Sequence, residues 1–149
     1  MGLAELCNRS VVVTLAKTPV QEAARLMREH HVGSLVVVEE TARGRRPIGI
    51  VTDRDVVVEV VAAGVSPATV TVGEIMAPEL VSAREADEPW DTIQVMRQRG
   101  VRRVPVVGED GLLVGIVTVD DLLEILAEQL DGLAKVISSE LRREARSRG

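Results

Sequence analysis

Gly49-Ile50-Val51-Thr52-Asp53-Arg54-Asp55 returns later in the chain as Gly115-Ile116-Val117-Thr118-Val119-Asp120-Asp121. Both copies read as the end of a buried strand followed at once by a helix start, because an apolar run stops at a Thr with an Asp three residues on. At that spacing the Thr hydroxyl and the Asp carboxylate can satisfy the open backbone donors of a first helical turn. For one isolated copy, capping alone suffices. The position directly after a buried strand suggests more, since a hydroxyl, free backbone donors and a carboxylate gathered at a helix start suit a sugar phosphate.

Outward from the motif, sliding the sequence on itself by 69 positions pairs Glu5 with Glu74, Val12 with Val81, Met27 with Met96, Arg28 with Arg97 and Val32 with Val101. Past the next turn the offset falls to 66, so three extra residues are expected in the first of two hairpin loops, 39–47 against 108–111. Each repeat predicts a short strand (10–14 and 79–83), an amphipathic helix (19–31 and 88–100), two buried strands around the hairpin and a closing helix (55–63 and 120–130). Val20, Ala23, Ala24 and Met27 mark the inner side of the first amphipathic helix, and Trp90, Ile93 and Met96 that of the second. The expected fold class is α+β: two pseudo-twofold-related β-α-β-β-α repeats, 3–67 and 70–130, packed sheet to sheet, plus a C-terminal amphipathic helix and tail over 131–149. A unit of about 60 residues buries too little surface to be comfortable alone, so the pair is the expected functional body.

The 149 residues are 46% apolar yet include no Phe or Tyr and one Trp, so aliphatic side chains must build the core and pack against any ligand base. A net charge of −5 and the missing stacking platforms argue against a nucleic-acid binder. The Arg-rich end, Arg142, Arg143, Arg146 and Arg148, reads as a solvated helix face or frayed tail. No run approaches about 18 uninterrupted apolar residues, so no membrane span is expected. Cys7 is the single cysteine, and residues 1–5 lack a basic segment followed by an apolar one, which makes the expected location cytoplasmic. Catalysis is not expected. His30 and His31 are neighbours on a helix end and do not converge, Cys7 reads as a small apolar residue, and no Cys/His spacing suits a metal.

A nucleotide held by the motif would divide its chemistry simply. The Asp carboxylate would accept from both ribose hydroxyls, while the Thr hydroxyl and helix amides would face phosphate. Cations are then needed nearby: Arg54 lies inside the first motif, and Arg102-Arg103, suited to bidentate phosphate contacts, precede the strand at Val104. Without the motif, the same two arginines read as a surface pair at a strand entrance.

The helix ending in Met27 or Met96, the strand Leu35-Val36-Val37-Val38 or Val104-Pro105-Val106-Val107, and the closing Gly-Ile-Val-Thr-x-x-Asp all occur twice. Together they resemble the CBS domains first named for cystathionine β-synthase, in the tandem pair called a Bateman module of the stand-alone prokaryotic type. The resemblance covers roughly residues 3–130 and implies a disc with two clefts that take AMP, ADP or ATP, with NAD and S-adenosylmethionine as further candidates. It also implies a homodimer that signals to a separate partner protein and requires no cofactor. By resemblance, Asp55 and Asp121 hold ribose, with Asp120 beside the latter, and Thr52 and Thr118 meet phosphate. Ile50 and Ile116 would line the adenine pocket, while Val11, Val12, Leu80 and Val81 offer backbone groups to the adenine edge. Each cleft would draw on both repeats, Asp121 working with Val12, Gly33 and Ser34, and Asp55 with Val81, Arg102 and Arg103. Because Gly33-Ser34 stands where the second repeat has Arg102-Arg103, the Asp55 cleft is expected to be the tighter site for a multiply charged nucleotide. The alternative is a structural dimerisation or interaction module whose clefts stay empty.

Beyond the second repeat, Leu126, Leu130, Leu133, Ile137 and Leu141 continue at spacings of three and four, a stripe expected to be covered by its own domain or a dimer mate. Gly132 weakens this helix by about 1 kcal/mol against Ala and is a candidate bend.

Overall fold

The Val-rich runs form strands, but with ends that differ from those the pattern predicts. A computed structural model describes residues 2–148; Met1, at the chain start, and Gly149, at the end of the expected tail, lie outside the described residues. Strands β1 (Val13–Leu15), β2 (Ser34–Thr41) and β3 (Gly44–Thr52) form one sheet in that order, β1 parallel and β3 antiparallel to β2. Strands β4 (Ala83–Arg84), β5 (Arg103–Val107) and β6 (Leu113–Thr118) repeat the arrangement. The helices are α1 (Leu3–Leu6), α2 (Val20–His30), α3 (Asp53–Val56), α4 (Val72–Ile75), α5 (Pro89–Arg99) and α6 (Val119–Arg148). A π-helical turn, Val57–Val61, extends α3. The class is α+β, as expected, and β2 shows why. Leu35, Val36, Val37 and Val38 are all buried although successive side chains point to opposite faces, so both faces of this sheet are covered. Leu35, Val37 and Val51 join Ala23 and Met27 of α2 in one core cluster.

Three expectations need correction. The loop expected over 39–47 is mostly strand: the ladder continues through Glu39↔Arg46, Glu40↔Arg45 and Thr41↔Gly44, leaving a two-residue turn. Opposite charges set across the strands, with Arg46 paired to Glu39 and Arg45 to Glu40, stabilise this extension. The first strand of each repeat starts later than expected, at Val13 and Ala83. In the second repeat it is also shorter, because Pro105 stands opposite and has no N–H to donate, whereas the equivalent Val36 N–H reaches the Val12 carbonyl at 3.1 Å. Finally, Trp90 lies outside the core, 65% exposed, and Thr92 takes the inner position on α5 beside Met96.

The repeats are interlocked by exchange of their leading segments. Helix α4 precedes the second sheet in sequence but docks on the first, its Val72 and Gly73 amides reaching the Thr18 and Ala16 carbonyls at 2.9 and 2.8 Å. Helix α1 does the converse, with Leu3 and Ala4 amides on the Asp87 and Glu85 carbonyls, both at 3.0 Å. Leu3 and Val72 are each fully buried. The chain after α1 then pairs with β6 through Asn8 and Ile116. Neither repeat completes its core without residues from the other, which gives a physical reason for their obligatory pairing.

Helix α2 ends at His31 in the left-handed conformation (φ 52°), where α5 ends at Gly100 (φ 66°). A side chain costs roughly 1–2 kcal/mol in that region. His31→Gly is therefore expected to raise the melting temperature by a few degrees, read by circular dichroism; an unchanged or lower value contradicts this account.

The chain forms two compact units divided between Val117 and Thr118. In the second, the helix expected over 120–130 and the stripe beyond it are one uninterrupted helix, α6, which passes through Gly132 without a break. No helix among the described residues is long and apolar enough to cross a membrane.

Candidate functional site

A cleft of about 310 Å³ opens where the end of β3 and the start of α3 meet the segment before β4 and the turn between α5 and β5. That volume lies at the small end of small-molecule sites. Eight of the residues singled out from the sequence line it: Ile50, Thr52, Arg54, Asp55, Leu80, Val81, Arg102 and Arg103. Five more were not foreseen: Asp53, Ala77, Glu79, Gly100 and Val101. The segment before β4 brings Ala77 and Glu79 here because α4 has crossed to the first sheet, a placement with no signature in local sequence.

The capping arrangement expected of Thr52 and Asp55 is fully formed. The Thr52 amide donates to Asp55 Oδ2 at 2.9 Å, and the Asp55 amide donates to Thr52 Oγ1 at 3.2 Å. The neighbouring donors are also in use: the Arg54 amide bonds Asp53 Oδ1 at 2.8 Å and the Asp53 amide bonds the Gly33 carbonyl at 2.9 Å. The free helix amides expected here for phosphate are thus committed within the protein, which corrects that part of the reading. Still available are the Thr52 hydroxyl proton, since that oxygen accepts in the cap, and Asp55 Oδ1, which has no hydrogen bond among the described residues.

The walls divide by chemistry. Ile50, Leu80, Val81 and Val101 form an aliphatic slot, while three guanidinium groups (Arg54, Arg102, Arg103) and three carboxylates (Asp53, Asp55, Glu79) stand around it. Glu79 is engaged by Arg99 at 3.0 Å. Leu80 and Val81 lie outside the ladder of β4, and opposite Val81 the missing N–H of Pro105 leaves its carbonyl without the partner that Val12 has. Gly33 also borders this region: a Cβ there would lie 3.0 Å from Asp53 Oδ2 and 3.6 Å from Arg103 Nη2.

A family model described as the CBS domain matches residues 3–62 and again 72–128. The chain belongs to the CBS-domain family. An uncharacterized protein of Methanopyrus kandleri, MK0525, is 36% identical over 125 residues, covering 84% of this chain and 62% of that protein, so this chain spans less than two thirds of that relative. A hexameric CBS-CP12 protein from bloom-forming cyanobacteria superposes with a TM-score of 0.71 at 31% identity, over 83% of this chain and 69% of that one. The CBS domain pair of protein MJ0100, in complex with 5'-methylthioadenosine and S-adenosyl-L-methionine, gives a TM-score of 0.71 at 25% identity, over 87% and 98% of the two chains.

Thr118 to Asp121 of the second CBS motif fall in the second unit. Thr118 and Asp121 repeat the reciprocal cap at the head of α6, with N–H···O distances of 3.2 Å to Asp121 Oδ2 and 3.1 Å to Thr118 Oγ1. Val11, Val12, Gly33, Ser34 and Ile116 lie in the first unit, and none of them lines the 310 Å³ cleft. Cys7 is half-buried against Gly115, consistent with a packing role.

Proposed function

We propose that this CBS pair is a non-catalytic regulatory module that binds an adenine nucleotide in the Asp55 cleft and signals to a separate partner protein. AMP, ADP and ATP are the first candidates, with NAD and S-adenosylmethionine behind them. The observation that carries this reading is the meeting of Asp55 Oδ1, an aliphatic slot and three arginines in one cleft. Adenine would lie between Ile50 and Val101, with its amino group donating to the Val81 carbonyl; ribose would donate to Asp55. Phosphate would fall to Arg54, Arg102, Arg103 and the Thr52 hydroxyl.

The completed cap at Thr52–Asp55 favours a second reading, in which the motif is structural and the clefts stay empty. Calorimetric titration of the full chain with AMP, ATP, NAD and S-adenosylmethionine separates the two. Binding with micromolar affinity is the expected result and would raise the melting temperature under saturating ligand. Absence of heat and of any thermal shift with all four would favour the interaction module.

A further inference from the structure

Helix α6 carries an apolar seam that is exposed to solvent among the described residues. Leu123, Leu126, Leu130, Leu133, Ile137 and Leu141 are each between 45% and 67% exposed. Their spacings of three and four match the turn of an α-helix, so the six side chains lie along one side of it as a seam that a second helix can cover. Most of the stability of a helix in a protein comes from packing its apolar face, and along this seam that face is exposed.

Charge indicates which partner. The first half of α6 holds Asp120, Asp121, Glu124, Glu128 and Asp131 with no Lys or Arg before Lys135. The second half reverses this, with Lys135, Arg142, Arg143, Arg146 and Arg148 against Glu140 and Glu144. Side by side and parallel, two copies would set acid on acid along one half and base on base along the other. Antiparallel, each half meets its complement. A twofold axis between Leu133 and Ala134 would put Leu130 opposite Ile137 and Leu126 opposite Leu141, so the seams also coincide.

We infer that α6 is a self-association element: two copies of this chain pair antiparallel through the Leu123–Leu141 seam, in a register set by the acidic and basic halves. The inference stands whether or not the clefts hold a nucleotide.

Light scattering on the full chain should give a mass at least twice that of one chain, and Leu130→Glu/Ile137→Glu should halve it. Both positions are exposed, so the variant should keep its helical signal by circular dichroism. Orientation is read by oxidation in a Cys7→Ser background carrying Leu126→Cys or Leu141→Cys. A disulfide-linked dimer is expected only when the two variants are mixed. A monomeric full chain, a mass unchanged by the double substitution, a cross-link in either variant alone, or none in the mixture would each overturn the inference.

Discussion

Asp55→Asn is expected to weaken adenine-nucleotide binding by roughly ten- to a hundredfold while barely changing stability. The side-chain amide keeps an oxygen that can accept the Thr52 N–H, so the cap that holds the head of α3 persists. What disappears is the charge that strengthens bonds from the ribose hydroxyls. Charge-assisted hydrogen bonds contribute about 1.5–3 kcal/mol against about 1 for neutral ones, and about 1.4 kcal/mol is a factor of ten in affinity. Asp55→Ala removes both functions and should lower stability by about 0.5–2 kcal/mol as well, in line with the loss of a helix cap. Calorimetry on the two variants, beside their melting curves, isolates the ligand contribution. If Asp55→Asn bound nucleotide like the parent chain, the motif would be a cap and nothing more. If binding instead vanished in Asp121→Asn alone, the tighter cleft would be the other one.

Gly115→Ala should destabilise the fold by about 2–3 kcal/mol, whereas its counterpart Gly49→Ala should cost less than about 1 kcal/mol. Both glycines face the segment exchanged from the opposite repeat, and both leave too little room for a methyl group. A Cβ at Gly115 would stand 2.7 Å from the Asn8 carbonyl oxygen and 2.8 Å from Cys7 Sγ. That carbonyl cannot retreat cheaply, because it accepts the Ile116 N–H at 2.9 Å while the Asn8 N–H bonds the Ile116 carbonyl at 2.8 Å. At Gly49 the nearest atom, also at 2.7 Å, is Met76 Sδ, the far part of a flexible side chain that can change rotamer. For a domain of this size the difference corresponds to melting temperatures lower by roughly 5–10 °C for Gly115→Ala and by a few degrees at most for Gly49→Ala. Equal losses at the two sites would show that the exchanged segments are held no more firmly by backbone than by side chain.

Helical spacing with Ile93 and Met96 points Trp90 inward, yet the internal repeat aligns it with Gln21, a solvent-facing position, and aligns Thr92 with Ala23 in the core. Position in the repeat was the better guide than hydropathy. The polar stretch 39–47 looked like a loop because charges dominate it, but cross-strand pairing of Glu39 and Glu40 with Arg46 and Arg45 makes the same charges favour strand. At the candidate site, the motif residues and the arginines were legible because each repeats or breaks a repeat in sequence. Glu79 and Ala77 were not, since they reach the cleft only through the crossing of α4.

Sequence alone determined the α+β class, the order of strands in each repeat, the duplication and the reciprocal Thr–Asp cap. Each of these follows from periodicity or from interactions within a few residues along the chain. Tertiary structure alone decided which repeat each leading segment packs on, which backbone donors are already in use at α3, and which aliphatic and charged groups share a cleft. Those outcomes depend on contacts between residues far apart in the chain, such as Ala16 with Gly73 or Asn8 with Ile116, whose partners are set by the burial of whole sheets and leave no local trace in either segment.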